Sequence, residues 1–237
     1  MALITGNSKL VSGAAGKSNS GGGGDYFTLG KHKAMIAKVE VADSKRDDSD
    51  ATIFIVEGII VKGGQGTVLY DRDPSGKAVK RDNAGFTEAP RIGRRQASVS
   101  TTAKGGTKRF QENLGDFCLA AKKTFMNVFN GLSAANQEVF LTSAEQGKGF
   151  TGEALKRARA FAVRAKANPD ATDSQDILDI LECDLACNLV MTIECNQYCR
   201  KDGQLSGTSK WHAGTLEDLG LVKVLDEDDD EPPADAE

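Results

Sequence analysis

From Met35 to Val41 the chain alternates, with Met35, Ala37, Val39 and Val41 on one parity and Ile36, Lys38 and Glu40 between them. Period two over this length predicts a half-buried strand across Lys31–Val41. Ala51–Val61 (ATIFIVEGIIV) is almost wholly apolar and β-branched, which predicts a central strand. Gly58 inside it marks a bulge or sharp bend. Gly63-Gly64-Gln65-Gly66 ends that strand, and Thr67–Tyr70 is expected to pair back on it. Residues 71–109 carry Pro74, Gly76, Asn83, Gly85, Pro90, Gly93, Gly105 and Gly106, and read as one long, weakly structured loop. Helical spacing follows: Leu114, Phe117, Ala121, Phe125 and Val128 recur at steps of three and four up to Asn130-Gly131. A second helix is expected from Ser133, carrying Val139, Phe140 and Leu141. A third is expected over Thr151–Ala167, with Leu155, Ala158, Ala162 and Ala165 on one side and Asn168-Pro169 as its stop. After Asp173 the period returns to two. Leu185, Cys187, Leu189, Met191, Ile193 and Cys195 occupy alternate positions and predict a long strand with one buried face. Asp202-Gly203 supplies a turn, Leu205–His212 the partner strand, and 215–225 a short closing element.

The order of elements is β, then helical, then β again: an α+β chain, mainly β with an α insertion at about 110–167. Residues 1–24 are small, polar and glycine-rich and read as a flexible arm. Residues 25–225 are expected to form a single domain. With 237 residues and 39% hydrophobic content the chain can bury one good core. No apolar run reaches the roughly 20 residues of a membrane span. The first residues lack a long apolar core, so no secretory leader is expected. Five cysteines then point to reduced thiols and a cytoplasmic setting.

Charge alters this picture. The whole chain holds 30 Lys+Arg and 34 Asp+Glu, a formal net of -4. Eight of those carboxylates lie in Asp226–Glu237, which has no lysine or arginine; without them the balance is 30 against 26, or +4. A mildly basic body thus carries its own polyanion, whose charges repel and which has almost no apolar surface to bury. Such a tail, Asp226, Glu227, Asp228, Asp229, Asp230 and Glu231 above all, can compete for a basic surface or dock a partner.

The strongest binding signal is Arg91–Arg109 (RIGRRQASVSTTAKGGTKR), which contains Arg91, Arg94, Arg95, Lys104, Lys108 and Arg109 and no acid. Cations among small Ser, Thr and Gly residues suit phosphate contact; the plainer reading is a solvated loop. Tyr70, Phe86, Phe110, Tyr198 and Trp211 are candidates to stack on bases, although each ring taken singly also reads as packing. Lys156, Arg157, Arg159, Arg164 and Lys166 on the third helix read first as a solvated face. Cys183, Cys187, Cys195 and Cys199 have a C-x3-C-x7-C-x3-C spacing that suggests zinc. Two of them share one extended strand, however, where positions four apart lie about 13 Å from each other, so buried thiols are the better reading. Gly13–Ser18 (GAAGKS) ends like a phosphate-binding loop, but Val11 stands where the motif needs glycine and Ser20–Gly24 cannot continue as its helix. No catalytic cluster is recognisable and no cofactor is expected.

In layout the chain resembles phage-encoded single-stranded DNA-binding proteins of the OB-fold type. The resemblance rests on YFTLGKHKAMIAKVEVADSKRDDSDATIFIVEGIIVKG (Tyr26–Gly63), the basic segment, the hairpin ECNQYCRKDGQLSGTSKW and the tail DEDDDEPPADAE. It implies an OB-fold-like open β-barrel that binds single-stranded DNA without sequence preference, in DNA replication, recombination or repair. It implies tail-mediated recruitment of replication or recombination proteins, no enzymatic activity, and a place in the bacterial host cytoplasm. The chain departs from the family at Ala236-Glu237, where many such tails end in an apolar or aromatic residue. Two other classes stay open: an interaction or assembly protein whose basic segment contacts protein, and an enzyme acting on nucleic acid. A homo-oligomer is also left open.

Overall fold

A computed structural model describes residues 30–43, 52–62, 69–72, 78–81, 92–99, 106–144, 147–199 and 205–219. Five strands make one antiparallel sheet: β1 (Gly30–Asp43), β2 (Thr52–Lys62), β5 (Ile92–Val99), β6 (Val190–Cys199) and β7 (Leu205–His212). Their order is β5-β2-β1-β6-β7. Taken as β6-β1-β2-β5, this is a Greek key: three strands in succession, then a fourth that returns over a long connection to lie beside the first. A separate hairpin, β3 (Leu69–Arg72) with β4 (Ala78–Arg81), interrupts the passage from β2 to β5.

The long return from β5 to β6 is helical: α1 (Gly106–Gly131), α2 (Ala134–Thr142), α3 (Gly152–Ala167) and α4 (Ser174–Glu182). The apolar stripe of α1 packs on the sheet. Phe117 meets Phe54 of β2 at 5.4 Å between ring centroids and Trp211 of β7 at 5.2 Å, both edge-on. Further along α1, Phe125 packs against Phe140 of α2 and Phe161 of α3, at 5.7 and 5.3 Å. One helix therefore runs through a single apolar core shared by the sheet and the other helices, and burial of such rings dominates core energetics. Ser133 caps α2 through its side chain, and a capping box between Asp173 and Asp176 starts α4.

The bend expected at Gly58 has a register correlate. Pairing passes from Ile36↔Gly58 to Lys38↔Glu57, so Ala37 is an extra residue on β1, a bulge opposite the glycine.

Four expectations are corrected. Residues 71–109 are not one loop: they hold the end of β3, β4, β5 and the start of α1. In β5 the sequence is IGRRQASV, too polar to alternate visibly, and it is a strand because β2 pairs with it along its whole length. Leu69–Arg72 pairs with Ala78–Arg81 and not with the preceding strand. The helical segment begins at Gly106 and continues through α4, well beyond the expected 110–167. Finally, Cys187 is not in the last long strand: Leu185–Asn188 is a turn, and β6 starts at Val190.

Candidate nucleic-acid interface

The cationic segment Arg91–Arg109 spans two elements. Arg94 and Arg95 lie on β5, at the edge of the five-stranded sheet, where they pair in register with Glu57 and Val56. Consecutive strand positions alternate between faces, so Arg94 joins the row of Lys38 and Glu57 and Arg95 the row of Val39 and Val56. Lys108 and Arg109 are in the first turns of α1, whose opening turn holds no acidic residue. Cations there work against the helix dipole, whose N-terminal end favours anions. β5 and the start of α1 adjoin: Phe110 lies edge-on to Phe54 at 6.5 Å, and Phe54 is the register partner of Ala97 on β5. Four of the six cations named from sequence are therefore carried by two touching elements. Arg91, Lys104 and Phe86 lie outside the described residues, as do residues 1–24, Asp202-Gly203 and Asp226–Glu237.

Two of the candidate stacking rings belong to the core. Trp211 is 6% exposed and packs on Phe117, which removes it from the rings open to a base. Phe110 is half-buried against the same cluster. Parity alone does not fix the direction of a β7 ring; the pairing Ile193↔Trp211 does, because it ties Trp211 to a buried row. Tyr70 pairs in register with Lys80, and Tyr198 with Ser206.

The cations of α3 are mostly engaged within the protein. Arg157 donates to Asp179 at 2.7 Å and to Glu182 at 2.8 Å; Arg164 bonds Asp176 at 3.2 Å and also Asp179. Its hydrogen bonds to Glu182 and Asp179 hold the Arg157 guanidinium well above its usual range. Arg159 pairs with Glu138, and Lys156 with Glu153 at 3.4 Å. The acids that take Arg157 and Arg164 belong to α4, which the sequence reading had not recognised.

Cys118, Cys183, Cys187 and Cys195 are free thiols in tight places. Cys118, Cys183 and Cys195 are buried and Cys187 is half-buried. Burial pushes the Cys118 and Cys187 thiols up to about 12, far from the reactive thiolate range. Among the described residues no group of three or more His, Cys, Asp or Glu could hold a metal ion. Nor is any described helix long and apolar enough to cross a membrane.

A half-buried lysine braces the turn before β6. Lys148 donates to the carbonyls of Leu185 and Cys187, the former at 2.9 Å, and its ammonium lies 5.9 Å from the Phe140 ring centre. Asp184 and Asn188, which bracket this turn, both have positive φ, a conformation that needs outside support. Burial brings Lys148 down to about 7.

Against known proteins the chain stands apart: no family model, no curated protein and no solved structure matches it.

Proposed function

We propose that this protein binds single-stranded DNA with little sequence preference, on a β-sheet of the OB type, and that its acidic tail contends with the strand for the same cations. The observation that carries the reading is the acid-free cationic segment Arg91–Arg109, which runs along the sheet's edge strand and into the first turn of the helix beside it. Two features support it. Five antiparallel strands in Greek-key order agree with the OB architecture, a five-stranded, partly open Greek-key barrel that is a common platform for oligonucleotides. The charge balance of +4 outside the tail and eight carboxylates within it gives the polyanion a competitor of its own sign. Replication and recombination proteins are the partners proposed for the tail, and a cytoplasmic setting goes with that role.

Deleting Asp226–Glu237 tests the competition. Fluorescence anisotropy with oligothymidylate should show tighter binding by the truncated chain, with the gap narrowing as salt rises. Weaker binding after the deletion would contradict the tail's role.

A further inference from the structure

The rows of the main sheet alternate between two faces. The row His32–Ile193–Trp211 is buried, and Trp211 packs there on α1. Neighbouring rows must face away from that helix. They are Lys31–Glu194–Lys210 and Lys62–Lys33–Thr192–His212. Four lysines and a histidine, from three distant parts of the chain, thus share two adjacent rows. By strand spacing these rows are about 7 Å apart and extend about 14 Å across four strands.

The rows hold one acid of their own. Glu194 lies 3.1 Å from His212 and 3.7 Å from Lys31, while Lys31 is 58% exposed and Lys210 is exposed too. Asp218 comes from outside the sheet to take Lys33. Lys62 of β2 is the register partner of Lys33. The excess is local. Beyond the bulge at Ala37 the charges balance: Lys38 bonds Glu40 at 2.6 Å and faces Glu57 in register. In the other direction along β6, Asn196 and Tyr198 continue the same parity as Glu194, with Thr208 and Ser206 as their partners on β7. β3, which carries Tyr70, comes up against β6.

We propose that this face, from the Lys33–Lys62 row to Tyr198, is a second track for the single-stranded DNA backbone, with Lys31, Lys62 and Lys210 as its phosphate contacts. The inference rests on the function proposed above and concerns a surface apart from Arg91–Arg109. The strands fix the spacing of the lysine positions along and across the face, so no backbone has to be ordered before a polyanion is met. An aromatic position at the far end suits bases that no partner strand covers.

The test is acetylation of lysines in the full chain, read by mass spectrometry, with and without saturating oligothymidylate. Lys31, Lys62 and Lys210 should lose reactivity several-fold on binding, while Lys38 and Lys166 stay unchanged. The variant Lys31→Ala/Lys62→Ala/Lys210→Ala should lower the slope of log affinity against log salt by about 2. Oligothymidylate that binds but leaves these lysines as reactive as before would overturn the track while leaving single-stranded DNA binding in place. Lysines that become reactive when Asp226–Glu237 is removed, and stay reactive with oligothymidylate present, would assign the face to the tail and also overturn it. A full chain that does not bind oligothymidylate defeats both proposals together.

Discussion

Lys122 of α1 and Asp176 of α4 meet at 2.6 Å with both side chains almost wholly enclosed. Lys122 also donates to the carbonyl of Ala171 at 2.7 Å, and Asp176 accepts from Arg164 and closes the capping box of α4. The pair fastens the last helix to the first across an apolar core. Removing Asp176 leaves the Lys122 ammonium buried with a backbone carbonyl in place of its counter-charge, which costs about 3–5 kcal/mol, whereas removing Lys122 leaves Asp176 its bond to Arg164. Asp176→Ala should lose that much in urea denaturation, and Lys122→Ala less. Lys122→Met combined with Asp176→Leu should lose clearly less than the sum of the two single losses, because no stranded charge remains. Additive losses would show that the two groups do not act as a pair.

Two glycines should respond in opposite directions. A Cβ on Gly214 would lie 1.8 Å from the Val190 carbonyl oxygen, while the Gly214 amide and carbonyl are held by Thr124 and Asn127 at 2.9 Å each. Gly214→Ala must displace that backbone and should lower the melting temperature by several degrees, in line with about 1–3 kcal/mol for overpacking. Gly115 lies in mid-α1 with nothing within 4 Å of the added methyl. Gly115→Ala should raise stability by about 0.5–1 kcal/mol through helix propensity. A thermal scan of both variants decides it; a stabilised Gly214→Ala would contradict the packing described.

Lys148 makes stability depend on pH. Its folded value is pushed by burial to about 7, against 10.5 for an ordinary lysine. Between these values the unfolded chain binds more protons than the folded one, so stability rises with pH in that window. Below about 7 the penalty for the buried charge is complete, and above 10.5 it is gone. Denaturation midpoints at pH 7 and pH 9.5 should show the rise in the native chain and a smaller one in Lys148→Met. Equal rises in both would remove Lys148 as the cause.

Trp211 reports on the core and not on DNA. With its ring packed on Phe117 at 5.2 Å, its emission should be blue-shifted in the folded chain. Saturating oligothymidylate should leave the emission maximum in place. Strong quenching of the kind that base stacking gives would return Trp211 to the binding surface.

Legibility along the chain followed the range of the interactions involved. β1, β2 and the β6–β7 hairpin were readable because their apolar residues recur at local spacings, as were α1 and α3. β5 was not, since Arg94, Arg95, Gln96 and Ser98 give no apolar parity and only its pairing with β2 makes it a strand. α4 was missed because it is nine residues long and buries Asp176 and Asp179, which read as surface until their arginine partners on α3 are known. The lysine rows were invisible for a related reason. Lys31 and Lys33 are two apart, but Lys62 and Lys210 join them only through register. The burial of Trp211 likewise depends on its partner Ile193.

The central claim is that the cations of Arg91–Arg109 hold a single strand by its phosphates. Its most direct measurement is the salt dependence of oligothymidylate affinity for the full chain and for Arg94→Ala/Lys104→Ala/Lys108→Ala. Single-strand slopes run near 0.7 per phosphate contact, so removing three cations should flatten the slope by about 2. An identical slope in the two proteins, or no binding of oligothymidylate at micromolar protein and low salt, would contradict the account.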